Sequence, residues 1–472
     1  MAETVTYAAE HKIKFDNFEF VNLDKMEIKK SIFDHSRVEI RGMVQKKNID
    51  KYKAHLEKED PAIIITYDND DRKVLFKGII NDYKFSHEYY DYYLELKAVS
   101  YSVLLERERK NNRVFQNQGK SYNEVFSKLS SDNDKFHISF TDSSIGDVPL
   151  VSKDYPVVLQ YKESEWDFIK RLSSYLNQIV IVDDTKDDSE TINIQAGPHQ
   201  VKAKDLNNVS GMKVKKMGPY NTKYIYCKVN GHEHFRSNNV FSIGKKVNYK
   251  LNNDNEDTVE LIIIKNRIYM DKGILCSDFT LVKEGDINLF KRKRKKPIEG
   301  RSFRAKVKEV NNAYQAKVQF MDIEDDFSKG KAYFFPIDRI YSDAYFAPEK
   351  DAVVDVYFKS KNEKYATIKS VSTDGGKEVD NNPEDKVIMT PEGYQIKINN
   401  EDIEISSKDK KSLIKINKEE IKVINNDNQV VLNNDAINLK TKKGEVNLDK
   451  SITALVFGGK KVEISNKGIN MV

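Results

Sequence analysis

A repeat of paired apolar residues in the last 86 residues restricts the possible folds of this chain more than any other feature. Each pair holds two apolar side chains separated by one residue, and all but one of the steps between pairs are 7, 9 or 11 residues long. The pairs are Ile396/Ile398, Ile403/Ile405, Ile414/Ile416, Ile421/Val423, Val430/Leu432, Ile437/Leu439, Val446/Leu448, Val462/Ile464 and Ile469/Met471. Asn399-Asn400 and Asn433-Asn434 lie between pairs, and asparagine tolerates the left-handed backbone of tight turns. The repeat therefore predicts very short strands with one apolar face each.

Strands this short cannot bury their apolar face within a single repeat. A β-solenoid closed within one chain needs longer coils than these steps provide, whereas an intertwined prism takes only a short strand from each of several chains. An ordinary antiparallel meander is the third possibility, although longer strands are typical of it. The uncovered stripe would exceed the few hundred Å² of apolar surface that soluble monomers usually expose. We therefore predict an obligate oligomer, most simply a homotrimer whose shared core consists of the eighteen paired residues.

Composition excludes several other classes of protein. The length of 472 residues corresponds to about three or four domains, and the 32% of charged residues leave a net charge of only +5. So small a net charge argues against general disorder and predicts no specificity for nucleic acid. No apolar stretch approaches the roughly 20 residues that cross a bilayer, and the segment 1–14 lacks the apolar stretch of a secretory signal. We expect synthesis in the cytoplasm without a signal peptide.

The remaining sequence predicts a mainly β, multidomain chain with an α/β insertion. Short β-rich runs such as Phe15 to Val21 fill the first part of the chain, and five candidate strands in 301–372 suit a small closed Greek-key barrel. The predicted units are 1–105, a first β-barrel module; 106–200, an α/β module; 201–290, a second β-barrel module; 291–300, a basic linker; 301–372, a small barrel; 373–386, a linker; and 387–472, the β-helical needle.

Two serine residues mark the starts of amphipathic helices in the α/β module. Ser121 is followed three residues later by Glu124, and Ser164 is followed three residues later by Asp167. A serine with an acidic residue three positions on is typical of a capped helix N-terminus. Apolar residues then recur at helical spacing, which predicts one buried face for each helix.

No residue pattern supports catalysis or the binding of a cofactor or metal. His232 and His234 would share one face of a strand, a spacing that can hold a metal, but no further His or Cys lies nearby. Cys227 and Cys276 allow at most one disulfide bond. The basic run 291–296 can bind nucleic acid, but the lack of interleaved aromatic residues favours a solvated linker. We expect no catalytic, cofactor-binding or metal-binding residues.

The segment from Leu159 to Leu172 resembles a signature of contractile-tail hub and spike proteins. It is similar to the pattern Q-Y-x-E-[ST]-x-x-[DE]-F-[IV]-x-R-L of myophage late-control-gene-D hubs and of the valine-glycine-repeat (VgrG) spikes of type VI secretion. The residues of this hub helix motif are Gln160, Tyr161, Glu163, Trp166, Phe168, Arg171 and Leu172. The segment 301–372, with its run Val353 to Phe358, likewise resembles the family's barrel, which is similar to the oligosaccharide/oligonucleotide-binding (OB) fold.

The resemblance implies an assembly for the whole chain. Residues 1–290 of three copies would form a torus-shaped hub, followed by three OB-like barrels and a trimeric β-helical needle. The implied partners are sister copies, tail tube and baseplate proteins, and the target cell envelope. Ser465 to Val472 lacks the His-x-His of iron-binding tips, so a separate tip-capping protein or a blunt end is expected. The implied location is the baseplate of a virion or phage tail-like particle, after synthesis in a bacterial cytoplasm.

Three functions compete at this point. The first is a structural hub-spike of a phage tail, R-type bacteriocin or related contractile system, which plugs the tail tube and punctures the target envelope. The second is a trimeric receptor-binding or glycan-binding tail fibre, although no domain follows the predicted needle. The third is a peptidoglycan hydrolase that uses carboxylates of 106–200. The stretch 373–386 is too short to hold an inserted wall-degrading domain, so we expect no enzymatic activity.

Overall fold

The computed structural model describes residues 12–68, 72–107, 112–132, 135–152, 155–186, 192–206, 209–217, 222–230, 242–250, 258–287, 298–338, 347–371, 385–390, 392–450 and 452–471. The chain divides into two compact units, Met1–Ser372 and Thr373–Val472. Strands dominate both units, and no helix in the described ranges is long and apolar enough to cross a membrane. The protein is mainly β and multidomain with an α/β insertion, as its sequence predicts.

Six strands and one helix build the N-terminal part of the first unit. They are β1 (Ile13–Phe15), β2 (Asn22–Ser31), β3 (Arg37–Val44), α1 (Ile49–Leu56), β4 (Ala62–Asp68), β5 (Arg72–Glu88) and β6 (Asp91–Ser100). The alternation of apolar and charged residues explains these strands. In β3, for example, Val38 and Ile40 are buried while the charged residues that alternate with them face the other side. The predicted strand from Phe15 to Val21 is wrong, since the chain turns at Asn17, whose φ is +70°.

A module of helices and short strands follows. Its elements are α2 (Leu104–Arg107), β7 (Arg113–Phe115), α3 (Tyr122–Ser131), β8 (Phe136–Phe140), α4 (Ser143–Gly146), β9 (Val158–Gln160), α5 (Glu165–Tyr175), β10 (Val180–Asp183) and β11 (Ile192–Ala196). Both predicted helix starts are confirmed. The hydroxyl of Ser121 accepts a hydrogen bond from the N–H of Glu124 at 3.2 Å, and Ser164 accepts one from Asp167 at 3.2 Å. These caps satisfy donors that the first helical turn leaves free.

The next strands join the N-terminal ones in one twelve-stranded sheet. They are β12 (Lys204–Asp205), β13 (Val209–Met217), β14 (Thr222–Asn230), β15 (Lys246–Lys250), β16 (Thr258–Asp271) and β17 (Ile274–Val282), followed by helix α6 (Glu284–Ile287). The main strand order is β1-β4-β5-β6-β3-β2-β16-β17-β14-β13, and β15 pairs with β12 and β16. At the antiparallel junction of β2 and β16, Ile28 lies opposite Ile268 and both are buried. Backbone hydrogen bonds therefore connect the predicted first and second β modules.

A small barrel completes the first unit. Its strands are β18 (Arg301–Asn311), β19 (Gln315–Phe320), β20 (Glu324–Asp325), β21 (Phe334–Pro336), β22 (Val353–Phe358) and β23 (Ala366–Val371). Five of them form a sheet in the order β21-β19-β18-β22-β23, and a bridge between Ile337 and Ile368 nearly closes it. Val114 and Leu159 of the α/β module lie in the same apolar core as the barrel. The barrel and the α/β module therefore share buried surface.

The second unit is an antiparallel sheet of eleven strands in sequence order. The strands are β24 (Lys386–Met389), β25 (Gln395–Ile398), β26 (Asp402–Ser406), β27 (Ser412–Asn417), β28 (Glu420–Asn425), β29 (Asn428–Asn433), β30 (Ala436–Lys440), β31 (Gly444–Asp449), β32 (Ile452–Phe457), β33 (Lys460–Ser465) and β34 (Gly468–Met471). Within one chain this is a meander, so the expectation that a meander requires longer strands is wrong. Strands of four to six residues suffice because each one pairs with its sequence neighbours through tight turns.

Candidate functional site

The apolar pairs of the second unit line up across the sheet in two ladders, because each strand pairs with the next in matching register. The first ladder consists of Ile388, Ile396, Ile405, Ile414, Val423, Val430, Leu439, Val446, Leu455, Val462 and Met471. The second ladder contains Ile398, Ile403, Ile416, Ile421, Leu432, Ile437, Leu448, Ile464 and Ile469. All eighteen residues predicted as needle core thus lie on one face. We call this surface the apolar needle face.

The apolar needle face is uncovered in the single chain. Fifteen of the eighteen predicted residues are at least 36% exposed, among them Ile403 at 39% and Ile405 at 44%. Isolated exposed aliphatic residues are ordinary, but a continuous patch of this size is typical of an interaction surface. The role of these residues as a trimer core stays a prediction.

The opposite face of the same strands carries ion pairs and amide side chains together with some apolar residues, among them Leu413, Ile424 and Val431. Lys415 lies 2.7 Å from Asp402, and Lys397 lies 2.6 Å from Asp385. The hydrogen bond from Lys415 lowers the pKa of Asp402, so this carboxylate is charged at neutral pH. The ion pairs of these strands therefore lie on the face opposite the two apolar ladders.

Asparagine side chains stabilise several turns of the needle sheet. They do so by accepting hydrogen bonds, whereas the sequence predicts asparagines with a left-handed backbone. The Oδ1 atom of Asn417 accepts hydrogen bonds from the N–H groups of Glu419 and Glu420 at 2.8 and 2.7 Å. Asn399 and Asn433 act in the same way in their own turns. Side-chain acceptance of backbone N–H groups stabilises such turns without a left-handed residue.

Only part of the expected left-handed backbone is present at these turns. Among the turn asparagines of the described needle, a positive φ of 54° occurs at Asn426. Asn399 and Asn433 have no positive φ, because their side chains rather than their backbone conformation complete the turn.

The hub helix motif of the first unit spans β9 and α5 and is largely core. Trp166, Phe168 and Leu172 are buried in the apolar core of the α/β module. The Trp166 ring stacks on His35, which follows β2, with ring centroids 4.6 Å apart. Burial lowers the pKa of His35 although Glu106 attracts its protonated form. The helix therefore packs against the loop that leaves the large sheet.

Arg171, which is 1% exposed, is the polar centre of the motif. Its Nε and Nη2 atoms donate to the two carboxylate oxygens of Glu163 at 3.1 and 3.0 Å, and Nη2 also donates to the carbonyl of Leu159 at 2.8 Å. Its Nη1 atom donates to the hydroxyl of Tyr175 at 2.9 Å and lies 3.6 Å from a carboxylate oxygen of Glu363 in the barrel. Burial alone would lower the pKa of Arg171. The attraction of the guanidinium to Glu163 outweighs burial and raises the pKa above its ordinary value, so the guanidinium stays charged.

The other two polar residues of the motif face the barrel or the turn before α5. Tyr161 meets Phe303 of the barrel edge-on, with ring centroids 5.2 Å apart. The Nε2 atom of Gln160 donates to the carbonyl of Glu163 at 3.3 Å. Tyr161 and Arg171 of the motif therefore contact the barrel, whereas Trp166, Phe168 and Leu172 lie in the core of the α/β module.

Comparison with known proteins identifies the fold. No family model and no curated protein matches the sequence. The E. coli c3393 protein, described as a type VI secretion component with structural similarity to T4 bacteriophage tail proteins gp27 and gp5, matches with a TM-score of 0.51 and 13% identity over 77% of this chain and 100% of its own. A chain of the half-lidded Francisella PdpA–VgrG complex matches with a TM-score of 0.53 and 10% identity over 98% of this chain and 87% of its own. The chain has a VgrG-like fold.

The VgrG-like fold contains a polar joint between barrel and α/β module that the sequence did not reveal. Arg113, which is 4% exposed, lies 2.7 Å from Asp132, 3.4 Å from Glu165 and 3.0 Å from Glu324 of the barrel. Strand β20, which contains Glu324, pairs with β7, which contains Arg113. Because these partners lie far apart in sequence, no local pattern could have indicated them.

A second part of the joint surrounds two adjacent barrel aspartates. The Nε2 atom of Gln116 donates to both carboxylate oxygens of Asp325 at 2.9 Å, and Asp325 also accepts from the N–H of Phe320 at 2.8 Å. Asp326 accepts from the N–H of Gln116 at 2.8 Å and lies 3.2 Å from Lys120. Burial raises the pKa of Asp325 to about 6 despite these hydrogen bonds. The joint therefore contains a carboxyl group that titrates near neutral pH.

The remaining candidates for chemistry are potential metal ligands and the two cysteines. Within the described residues, no group of three or more His, Cys, Asp or Glu side chains could hold a metal ion. The candidate pair His232 and His234 lies outside the described residues. Cys227 and Cys276 are both buried free thiols, and burial raises the pKa of Cys227 to about 11. A thiol with so high a pKa is a poor nucleophile at neutral pH.

Proposed function

We propose that the chain is the structural central hub and spike of a contractile injection machine and that it acts as a homotrimer. The VgrG-like fold supports the hub, since the similar E. coli protein is a component of the type VI secretion system. A phage tail, an R-type bacteriocin or a related system would each use such a part. The same proposal places the protein at the baseplate of a virion or tail-like particle.

The observation that carries the proposal is the apolar needle face. Its first ladder has a member in every strand from β24 to β34 and its second ladder in nine of these eleven strands, and the single chain leaves both uncovered. Full burial of an exposed Ile, Leu, Val or Met side chain contributes about 1.5–3 kcal/mol. Most of the eighteen side chains are already partly buried in the single chain, so covering the rest of their surface favours association by on the order of 10 kcal/mol or more before conformational entropy is subtracted. Three copies that turn these faces toward a common axis would form a closed apolar core.

The large sheet of the hub offers further surfaces for association. Strand β13 is at one end of the described sheet and pairs with β14 alone. Beyond Ile80, strand β5 pairs with β6 on one side, because its pairing with β4 ends at Ile79. Open strand edges readily pair with another chain, and edges at different places on one subunit allow head-to-tail contacts that close into a ring.

The proposed action is mechanical. Sheath contraction would push the tail tube and this spike into the target cell envelope, so the needle must resist compression. Continuous pairing from β24 to β34 supplies stiffness along the needle, and the face with the ion pairs would keep the outside solvated. Tail tube and baseplate proteins would bind the hub, and a separate tip-capping protein is an expected partner at the far end. The proposal assigns no enzymatic activity to the chain.

Native mass spectrometry of the full chain tests the proposal. The expected species at micromolar concentration is a trimer of 54.7 kDa subunits. Electron microscopy of the same sample should show a thick ring-shaped end and a thin needle on a threefold axis. A stable monomer under these conditions would refute the homotrimer and, with it, the hub and spike assignment.

A further inference from the structure

A basic groove crosses the exposed face of the large sheet where the two hub modules join. It has a volume of about 680 Å³ and is lined by residues of six neighbouring strands, β3, β2, β16, β17, β14 and β13, and of the loop between β2 and β3. The row across its centre runs from Lys213 through Tyr226 and Thr280 to Lys265, because these residues are partners in the register of successive strands. We call this feature the hub groove.

Cationic side chains outnumber carboxylates in the hub groove. Asp34 and Asp278 are the two carboxylates in the lining, against seven lysines and arginines. Several of these cations already have partners: Arg267 lies 3.4 Å from Asp278, and Lys29 lies 2.8 Å from Glu27 beside the groove. The excess of cations leaves the groove with a positive electrostatic potential.

Two lysines carry the unpaired part of that charge. Lys213 and Lys265 are exposed and form no ion pair within the described residues. They lie three strands apart, which corresponds to about 14 Å at the usual spacing between strands. Four residues of an extended polypeptide also span about 14 Å. Carboxylates at positions i and i+4 of an extended segment would therefore meet both lysines.

We propose that the hub groove binds an extended acidic segment of another polypeptide. The hydroxyl-bearing side chains of Tyr226 and Thr280 line the floor between the two lysines and suit a peptide backbone or carboxylates. Nucleic acid fits less well, because its closely spaced phosphates would lie against Asp278. Single-stranded nucleic acid also stacks its successive bases on exposed aromatic faces, whereas of Tyr226 and Phe279 in this groove the first is half-buried and the second is only 1% exposed. The groove lies on one chain, so the inference does not depend on the homotrimer.

Fluorescence anisotropy with the full chain tests the inference. The probes are a fluorescein-labelled decaglutamate peptide and a decathymidylate oligonucleotide of the same label. We expect the peptide to bind at low salt, more tightly than the oligonucleotide, and to dissociate as salt screens the charges. The double variant Lys213→Glu with Lys265→Glu should weaken peptide binding about tenfold or more. Asp278→Asn should strengthen it, because one carboxylate leaves the groove.

A matched control separates the hub groove from general charge. Lys51→Glu with Lys58→Glu changes the net charge by the same amount on and beside helix α1, away from the groove, and should leave peptide binding unchanged. Circular dichroism checks that each variant is folded. Absence of binding by the parent, equal weakening in the control, or tighter binding of the oligonucleotide would each overturn the inference.

Discussion

Arg171 and Glu163 form a buried bidentate ion pair, with side chains 2% and 9% exposed and N–O distances of 3.1 and 3.0 Å. The planar guanidinium matches both carboxylate oxygens at once, which a lysine could not do. Through its third nitrogen the same guanidinium approaches Glu363 of the barrel. The glutamate and arginine of the hub helix motif therefore fix the α/β module and the barrel to each other.

Replacing Arg171 with methionine should destabilise the first unit strongly. The change leaves Glu163 and Glu363 buried without their cation, and breaking a buried pair in this way costs about 3–5 kcal/mol. The chain has one tryptophan, Trp166, which lies in the α/β core, so its fluorescence during urea unfolding reports on this unit.

An exposed ion pair in the barrel provides the matched control for Arg171. Arg304 lies 3.0 Å from Asp322, and both side chains are more than a third exposed. Arg304→Met should therefore cost about 1 kcal/mol or less. Equal unfolding midpoints for the two variants would show that the buried pair does not stabilise the joint.

Asp325 should make the joint more stable at pH 5 than at pH 7. Burial raises the pKa of its carboxyl group from 3.8 to about 6 in the folded protein, so the folded state binds a proton that the unfolded state releases. The free energy of unfolding therefore rises as the pH falls through about 6, where the folded protein takes up this proton. The gain is lost as the pH rises back through about 6. Between pH 7 and pH 5 the gain from this group is about 1 kcal/mol.

The variant Asp325→Asn isolates this effect from other titrating groups. His35 acts in the opposite direction, because burial lowers its pKa and its protonation below pH 6.5 favours the unfolded state. Urea unfolding of parent and variant, followed at pH 5 and pH 7 by Trp166 fluorescence, should show the extra stabilisation at pH 5 in the parent alone. The same pH dependence in both proteins would exclude Asp325 as its source.

The sequence predicts the needle strands and capped helices well because their signals are local. Apolar residues two apart mark the strands of the second unit, and Ser121 and Ser164 mark helix starts through contacts three residues away. The sequence does not predict helix α1, because this helix is short and buries only Tyr52 and Leu56. Its charged residues hide the weak periodicity that remains.

The joint between barrel and α/β module could not be predicted because its contacts are long-range. Arg113 and Glu324, or Gln116 and Asp325, are more than two hundred residues apart, and nothing in the local sequence around any of them indicates its partner. The family signature drew attention to Arg171, but its contact with Glu363 required the folded chain. Register across the large sheet is likewise a tertiary property.

Both cysteines should be unreactive thiols in the folded protein. Cys227 and Cys276 are 2% and 3% exposed and form no disulfide with each other, and burial raises the pKa of Cys227 to about 11. We expect Ellman's reagent to label neither residue rapidly in buffer and both in denaturant without a reductant. One or no labelled thiol per denatured chain would show that the two residues had formed a disulfide.

The needle prediction is tested by Ile403→Asp together with Ile405→Asp. Their neighbour Glu404 faces the side of the sheet with the ion pairs, so the two substitutions place charge on the apolar needle face alone. A matched control is Asn438→Asp with Asn470→Asp, which adds the same two charges on the opposite face. Asn438 lies between Ile437 and Leu439 of the two ladders, and its side chain therefore points away from them.

The two variants should differ in assembly rather than in the folding of the hub. Carboxylates on the apolar needle face would be buried against sister copies without partners, a cost of several kcal/mol for each charge, whereas the control replaces polar amides with carboxylates away from the two ladders. Native mass spectrometry should therefore show a trimer for the control and a loss of trimer for Ile403→Asp with Ile405→Asp. Trp166 fluorescence should report the same hub unfolding midpoint in both. A double variant that assembles and resists heat like the parent would mean that this face points outward in the assembled protein.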